Sequence, residues 1–450
     1  MPAVFPFQAI QYNKGEGDVT KQVAPPYDVL DKARKQALLD GDAHNIVAID
    51  LPHTPAKELG PPSAYKAAGE SLCKWLGEGV LTKREKPAIF AYRQTFSFRG
   101  KDYQRCGMAC TVETQPLGAR EGGGILPHEQ TFSGPKEDRL ALMKATATQI
   151  SPIFGLHPDQ NGSASELVRS IMESRKPDMT ATVTETDGQD VLHEVWTIED
   201  EATIAKYQDA LKGEDIFIAD GHHRYNTAVN YLESLEKEGD VPADHPARRT
   251  MFVMVSMSDP GLAIGPTHRV LGGMKDYTHE KFIEAAAGYL QIDPVVNDPK
   301  QIEAEMTKAA TTSKEVFGLI DFATGLCWVA SCVDEDPLSE KFSDKPQAWR
   351  ELDVAIVQHL IVEEICQPEL NEGADIKWAF PHSVEEVMAI GSGSETGAGG
   401  GSGFAQIAVI VRPTPLDAVR DICLAGELMP QKSTFFYPKL ATGLFINPLS

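Results

Sequence analysis

Apolar and polar residues change their spacing most clearly between residues 213 and 239. An apolar, β-rich run from Ile216 to Ile218 ends at Asp220-Gly221. Side chains alternate along a strand and repeat about every 3.6 residues around a helix. After this turn, apolar residues recur at steps of three and four, which is helical spacing. They are Ala228, Tyr231, Leu232 and Leu235. The stretch therefore predicts a strand, a tight turn and a helix start.

Similar patterns predict the elements of the remaining chain. Two β-rich runs, 88–100 and 101–114, predict a hairpin joined at Arg99-Gly100-Lys101-Asp102. Further strands are predicted at 45–52, 150–156, 181–198, 251–255, 315–321 and 326–332. Helices are predicted up to Gly41, at 64–75, from Pro135 onward, within 158–180, and at 201–212, 279–290, 299–311, 349–366 and 417–429. This mixture predicts an α/β (α+β) fold with mixed sheets.

The order of elements changes near residue 276, after which helices and strands alternate. We therefore expect two domains, residues 1–275 and a second α/β domain at 276–450. The second domain contains a Gly/Ser-rich tract, residues 391–403, whose composition is typical of a flexible loop.

Composition narrows the functional classes. The 450 residues carry a formal net charge of −23. Nucleic-acid affinity comes largely from Lys and Arg that displace counterions, so unaided nucleic-acid binding is not expected. The seven cysteines are odd in number and include no C-x-x-C pair, which is typical of a protein whose thiols stay reduced. No signal peptide pattern is present and no run reaches the roughly 18 apolar residues of a membrane helix, which predicts a cytoplasmic protein.

The turn at Asp220-Gly221 has the features of an anion site. A helix N-terminus presents unpaired backbone N–H groups and the positive end of the helix dipole. His222, His223 and Arg224 would add donors there, and Gly221, which has no Cβ, lets a ligand approach the backbone. Phosphate on a small molecule is the expected anion. The alternative is a surface helix whose first turn these polar side chains merely cap.

Other polar clusters are candidates to line the same pocket. They comprise Asp28 after the rigid Pro25-Pro26 pair, His128 and Glu129 in a loop before a charged helix, the strand-end residues 266–269, and Lys432 and Lys439 beside two hydroxyls. Loops on a rigid scaffold often carry chemistry, and lysines near hydroxyls suit phosphate or carboxylate binding. Each cluster also has an ordinary interpretation, as a helix cap or a solvated surface loop.

Four motifs in this order resemble a bacterial and archaeal family of unknown function. They are APPYDV (24–29), LPHEQT (126–131), ADGHHRY (219–225) and MPQKSTFFYPKLATGL (429–444). The central motif also resembles the nucleotide-binding turn of the ParB and sulfiredoxin superfamily, including its free-serine kinases. That resemblance implies a ParB/sulfiredoxin-like nucleotide-binding core in residues 1–275.

The superfamily resemblance also implies roles for individual residues. It makes Gly221, His223 and Arg224 phosphate-binding residues and Asp220 a metal-side residue. Sulfiredoxin has a catalytic cysteine where this chain has His222, and ParB proteins have a basic helical domain that this acidic chain lacks. Of the three branches, the free-serine kinases differ least from this chain.

These features predict a nucleotide-dependent kinase that phosphorylates a small hydroxyl-bearing metabolite, with ATP or ADP and Mg²⁺ as cofactors. Glu129 or Asp28 would accept the hydroxyl proton, with His128 and His222 as further catalytic candidates. Lys432 or Lys439 would neutralise the transferred group. Two alternatives are a nucleotide-binding switch with little or no turnover and, less well supported by the spacing of its histidines, a metal-dependent hydrolase. The oligomeric state is left open.

Overall fold

The computed structural model describes residues 2–13, 17–56, 58–130, 133–294, 298–394 and 403–450. The chain divides into two compact units: unit 1 is Met1–Ala263 with Phe436–Ser450, and unit 2 is Ile264–Phe435. The predicted domains, 1–275 and 276–450, stay a prediction; the compact units place 264–275 in unit 2 and 436–450 in unit 1. Most of the predicted flexible tract, residues 395–402, lies outside the described residues.

Unit 1 is built on a nine-stranded mixed sheet. Its strands have the order β6-β11-β8-β12-β5-β4-β10-β9, with β1 paired to β5, and β2–β3 and β7–β21 form two small separate pairs. The β6–β11 and β8–β12 pairs are parallel. The bounds are β1 Val4–Phe5, β2 Ile10–Tyr12, β3 Leu81–Lys83, β4 Ile89–Phe98, β5 Lys101–Glu113, β6 Ile125–Leu126, β7 Thr148–Gln149, β8 Ile153–His157, β9 Met179–Thr184, β10 Asp190–Ile198, β11 Ile216–Asp220, β12 Arg249–Ser256 and β21 Asn447–Pro448.

The α-helices of unit 1 surround this sheet. They are α1 Lys32–Gly41, α2 Val47–Asp50, α3 Pro62–Gly77, α4 Ser133–Thr146, α5 Ser163–Ser174, α6 Glu201–Ala210 and α7 His222–Glu238. Short 3₁₀ turns lie at Tyr27–Val29 and Pro246–Arg248. Apart from α2, the helices lie close to the positions that apolar spacing predicts.

Strand β12 is buried along nearly its whole length because both faces of the sheet are covered. On one face Phe252 lies in a core cluster with Val168 of α5 and Tyr207 of α6. On the other face the rings of Phe90 and Phe445 lie 5.2 Å apart. A strand covered on both faces needs apolar residues at successive positions, which explains the uninterrupted apolar run predicted as this strand.

The predicted hairpin is confirmed as β4 and β5. Phe98 pairs with Lys101, which leaves Arg99 and Gly100 as a two-residue turn with positive φ angles of 50° and 76°. Two successive positive φ values suit the right-handed twist of a hairpin.

The buried strand predicted at 45–52 is wrong, because Val47–Asp50 form the short helix α2. The Asn45 side chain accepts the backbone N–H of Val47 at 3.0 Å and donates to the carbonyl of Val23 at 2.8 Å. Asn45 therefore opens the helix and ties it to a preceding loop. A short apolar run that is buried on all sides has no periodicity to distinguish a strand from a helix.

Replacing Asn45 with alanine is expected to lower the free energy of unfolding by about 2–3 kcal/mol. Asn45 is 1% exposed, so its backbone partners would lose hydrogen bonds where water cannot replace them. Urea denaturation measures the change. Asn161→Ala removes a comparable cap from an exposed turn at Ser163 and should have an effect near 0.5 kcal/mol; equal losses in the two variants would contradict the expected role of burial.

Unit 2 contains a six-stranded sheet of order β15-β17-β16-β19-β14-β18. Its bounds are β14 Arg269–Gly272, β15 Leu290–Pro294, β16 Val316–Asp321, β17 Cys327–Cys332, β18 Lys377–Ala379 and β19 Ala405–Ile410, and short strands β13 Ala263–Gly265 and β20 Phe435–Tyr437 lie where the units divide. Its helices are α8 His279–Ala286, α9 Ile302–Ala309, α10 Gln347–Arg350, α11 Asp353–Ile356, α12 Gln367–Leu370, α13 Val384–Gly391 and α14 Leu416–Leu424, with a π-helix at Val357–Cys366.

The long helix predicted at 349–366 is interrupted. The chain leaves the helix after α10 and resumes at Asp353, with extended backbone at Leu352. The Asp353 carboxylate accepts the backbone N–H of Arg412 at 2.8 Å. Tertiary pairing at this carboxylate therefore accompanies the break, which apolar spacing does not reveal. With this correction, the predicted mixed α/β class is confirmed.

Candidate functional site

Two neighbouring parallel strands of unit 1 end at the same edge of the sheet. Ile216 and Phe217 of β11 pair with Ile125 and Leu126 of β6. The residues that follow, 127–129 after β6 and 220–222 at the end of β11, are therefore brought side by side. Ligands of α/β sheets often bind beyond the carboxyl ends of parallel strands. The structure thus unites the LPHEQ residues with the ADGHHRY turn, while Thr131 lies outside the described residues.

The predicted strand–turn–helix is present, with Gly221 at the turn. Gly221 has φ 98° and ψ 26° and directly precedes α7, a left-handed conformation that favours glycine. A Cβ added to Gly221 would lie 3.1 Å from Nε and 3.2 Å from Cζ of Arg224. Glycine therefore suits the backbone conformation and leaves room for the close approach of the Arg224 guanidinium.

Asp220 is the centre of an ion-pair cluster. Its Oδ1 accepts from Nζ of Lys439 and its Oδ2 accepts from the Arg224 guanidinium. The side chains of Asp220, Lys439 and Arg224 are 19%, 15% and 9% exposed. Burial alone would raise the pKa of the Asp220 carboxyl, but the charges of Lys439 and Arg224 outweigh it and hold that pKa below its ordinary value. Asp220 is therefore ionised across the physiological range.

Asp28 belongs to the surroundings of the same cluster. It is exposed, and its negative charge helps to raise the pKa values of both Lys439 and Arg224 against the lowering effect of burial. The neighbouring Tyr27 is buried beneath it, with Arg139 lying 3.9 Å from the ring centroid. The PPYD turn therefore contributes one exposed carboxylate and one buried ring.

Arg224 also borders a small pocket of about 40 Å³, lined in part by Tyr27, Asp50, Arg139, Ser151 and Arg224. Arg139 donates to the carbonyl of Asp50 at 2.6 Å, and Ser151 donates to the Asp50 carboxylate at 3.2 Å. Such a volume holds one or a few water molecules and no nucleotide.

The two histidines proposed as catalytic are packed together in the interior. His128 is 0% and His222 is 7% exposed, and their rings meet edge to face with centroids 4.6 Å apart. The His222 Nε2 accepts the backbone N–H of His128 at 3.3 Å, so that nitrogen carries no proton. Burial is the main cause that lowers the pKa of both rings. Their structural effect is to hold the 127–129 loop on the start of α7.

Replacing His222 with glutamine is expected to flatten the pH dependence of stability below pH 6.5. Both histidines have pKa values below the ordinary 6.5, so the folded protein binds fewer protons than the unfolded chain. The contribution of each neutral histidine to the free energy of unfolding is therefore fully present above pH 6.5. Below pH 6.5 it falls as the pH decreases, by up to about 1.4 kcal/mol per pH unit for each histidine. Glutamine retains an acceptor for His128 but does not titrate.

Thermal unfolding between pH 7.5 and 5 measures this slope. The ion pairs of Asp220 do not add to this slope, because stability from a carboxylate with a depressed pKa is fully present above its ordinary value of 3.8 and is lost only below it. An identical slope in wild type and His222→Gln would contradict the assignment of a buried neutral His222.

The remaining predicted residues occupy different positions. Glu129 is 20% exposed, with its Oε1 4.0 Å from His128 Nε2, and His223 is half-buried at the second position of α7. Lys432 and residues 266–269 lie in unit 2, so their predicted approach to the turn stays a prediction. Asp50 and Arg105 were not predicted; no local pattern distinguishes either one from an ordinary polar residue.

Metal binding by protein ligands alone is not supported by the described part of the chain. Among those residues no group of three or more His, Cys, Asp and Glu side chains is placed to hold a metal ion. The hydrolase alternative, which needs such a group from His128, Glu129, Asp220, His222 and His223, therefore has no ligand set there. In the same residues, no helix is both long and apolar enough to cross a membrane.

Fold and site together define a mixed α/β protein with an ion-pair cluster at the end of strand β11. Residues 4–355 match the model of a family described as protein of unknown function, DUF1015, and the chain belongs to this family. The resemblance to a family of unknown function is thus confirmed. Comparison with curated proteins gives no match.

Several solved structures match this chain at low identity and low TM-score. A free serine kinase mutant in complex with AMP has 10% identity and a TM-score of 0.33, covering 73% of this chain and 96% of its own. SbnI from Staphylococcus aureus, truncated at its C-terminus, has 9% identity and a TM-score of 0.34, covering 76% of this chain and 87% of its own. A conserved hypothetical protein from Pyrococcus furiosus has 14% identity and a TM-score of 0.31, covering 73% of this chain and 98% of its own. Likeness at this level carries no inference about chemistry, and the ParB/sulfiredoxin relationship stays a prediction.

Proposed function

We propose that unit 1 is a nucleotide-dependent phosphotransferase that moves a phosphoryl group from ATP or ADP to the hydroxyl of a small metabolite. The observation that carries this proposal is the Asp220, Lys439 and Arg224 cluster beside the N-terminus of α7. Phosphoryl transfer depends on positioning and on compensation of charge more than on covalent catalysis. A partly exposed ammonium beside the positive end of a helix dipole provides both.

The exposed side of the cluster would bind the nucleotide phosphates. Backbone N–H groups at the start of α7 would donate to phosphate oxygens, joined by Lys439, and the half-buried His223 lies at the same helix turn. Arg224 bonds Asp220 and also donates to the carbonyl of Pro152. Arg224 therefore orients Asp220 from the interior, in addition to contributing positive charge.

The proposed transfer is a substitution at the terminal phosphorus of the nucleotide. The acceptor hydroxyl oxygen forms a bond to the terminal phosphorus, the bond from that phosphorus to its bridging oxygen breaks, and the shortened nucleotide leaves with the bridging oxygen. The hydroxyl proton passes to the carboxylate of Glu129 or Asp28, which are both accessible to solvent.

Mg²⁺ would accompany the nucleotide. Asp220 offers a hard oxygen ligand of the kind that Mg²⁺ prefers, and nucleotide-borne Mg²⁺ needs only one or two protein carboxylates. Both Asp220 oxygens are paired with cations, so contact through water fits better than direct coordination. The ion would reduce the charge of the phosphates.

The test is incubation of the purified protein with Mg²⁺, a pool of small hydroxyl metabolites and either ATP or ADP, followed by mass spectrometry. We expect a phosphorylated metabolite with one nucleotide and a loss of at least a hundredfold in rate for Arg224→Ala. Arg34→Ala, which changes an exposed arginine outside the cluster, should behave like wild type. Glu129→Gln and Asp28→Asn identify the base.

The outcomes separate the two nucleotide-dependent alternatives. Nucleotide binding without any phosphorylated product would favour a nucleotide-binding switch. Absence of nucleotide binding would rule out both.

A further inference from the structure

The segment that carries Lys439 is held by buried polar side chains of the sheet. We call residues 437–441 the strap. Arg105 of β5 donates to the carbonyls of Tyr437 at 3.0 Å and Pro438 at 2.6 Å. Gln94 of β4 donates to the carbonyl of Lys439 at 2.8 Å. The strap therefore has three consecutive carbonyls bound to two side chains.

Other contacts surround the same point. The Glu185 carboxylate accepts the backbone N–H of Lys439, so the N–H and the carbonyl of Lys439 are both bound. The Gln94 Oε1 accepts from Nε of Arg105 at 3.0 Å, which joins the two donors into one network. Arg105 and Gln94 are each 1% exposed. A buried network of this kind restricts the backbone strongly because every lost bond would leave a polar group unsatisfied.

Such restraint matters for a lysine. Its flexible stem loses up to about 2 kcal/mol of rotamer entropy when the ammonium is fixed. A backbone already fixed on the sheet limits the region that the Lys439 ammonium can reach to the neighbourhood of Asp220, to which it donates. The buried donors Arg105 and Gln94 thus hold the Lys439 ammonium in one region, where it would otherwise sample many positions.

We propose that Arg105 and Gln94 are positioning residues that fix the strap and thereby place the Lys439 ammonium at the phosphate-binding side of Asp220. The catalytic part of this proposal rests on the proposed phosphoryl transfer. The positional part concerns only the chain itself and is measurable without turnover.

The test compares Arg105→Met and Gln94→Glu with wild type. Gln94→Glu retains an acceptor for Arg105 but loses the donor to the Lys439 carbonyl, so it disturbs the strap with little change in volume. Acylation of lysines by acetic anhydride, read by peptide mass spectrometry against the exposed Lys66, reports the freedom of Lys439. We expect its relative labelling to rise at least threefold in both variants.

Arg93→Met is the matched control. Arg93 precedes Gln94 on β4, pairs with Glu194 at 2.7 Å and is 25% exposed, and its loss should leave Lys439 labelling unchanged. For the transfer reaction we expect kcat to fall at least tenfold in Gln94→Glu with less than a threefold change in KM for the acceptor. A merely structural role would instead lower thermal stability while kcat per folded molecule stayed constant.

The outcomes distinguish this proposal from the proposed function. Unchanged Lys439 labelling in folded Gln94→Glu would overturn the positioning role whether or not the protein transfers phosphate. Raised labelling in both variants, with no turnover even in wild type, would support the positioning role and contradict the phosphotransferase. If Arg105→Met does not fold, the Gln94→Glu result decides alone.

Discussion

Replacing Asp220 with alanine is expected to lower the free energy of unfolding by about 3–5 kcal/mol, because two cations would remain in the interior without their counter-charge. Lys439 and Arg224 both donate to this carboxylate, and their side chains are 15% and 9% exposed. Urea denaturation at pH 7 measures the loss, and phosphotransfer should disappear in the same variant.

A double substitution shows whether the unpaired charge is the cause. Lys439→Met removes one of the two stranded cations, so Asp220→Ala/Lys439→Met should recover at least about 1 kcal/mol relative to Asp220→Ala. Asp209→Ala, at an exposed position of α6, controls for the loss of an aspartate and should change stability by less than about 0.5 kcal/mol. A double variant less stable than Asp220→Ala would show that Lys439 contributes mainly by packing.

Gly221→Ala is expected to weaken nucleotide binding at least tenfold and to lower the free energy of unfolding by about 1–3 kcal/mol. Alanine is strained at φ 98°. Its Cβ would also lie 3.1 Å from Nε of Arg224, so the guanidinium beside Asp220 must shift by a few tenths of an ångström. Calorimetric titration with ADP and ATP, together with urea denaturation, measures both effects.

The other end of the same helix provides a matched control. Gly239 has φ 172°, an extended conformation that any residue adopts, and nothing lies within 4 Å of an added Cβ. Gly239→Ala should therefore leave nucleotide affinity unchanged. Equal effects at the two glycines would remove the special role assigned to the turn.

Local features of this site are predictable from sequence. The strand, turn and helix of residues 216–238 follow from apolar spacing and from one glycine, because each is determined by neighbours a few residues away. The same locality explains the hairpin at Arg99-Gly100. Where a short run is buried on all sides, as at 45–52, spacing carries no information and the strand prediction fails.

The pairings that complete the site are not local. Asp220 and Lys439 are separated by 219 positions, and no spacing rule links a strand end to a C-terminal loop. The C-terminal motif is itself divided: Lys432 lies in unit 2, while Lys439 lies in unit 1. The motif predicts that two lysines matter, and only the fold distinguishes between them.

The two histidines of the site also show what sequence alone does not reveal. His128 and His222 have the residue type of general bases, and sequence alone gives them catalytic roles. In the structure their rings pack in the interior, with one accepting a backbone N–H. Sequence does not reveal such burial for a loop residue, and the more exposed Glu129 and Asp28, already predicted as the base, stay the candidates for it.

Calorimetric titration of wild type and Lys439→Met with ATP and with ADP, in the presence of Mg²⁺, tests most directly whether the Asp220 cluster binds nucleotide phosphates. We expect saturable binding of one nucleotide to wild type and at least a tenfold increase in Kd, about 1.4 kcal/mol, for Lys439→Met. Lys66→Met, which removes an exposed lysine, should retain the wild-type affinity. Absence of binding to wild type, or equal affinity in wild type and Lys439→Met, would contradict a phosphate site at this cluster.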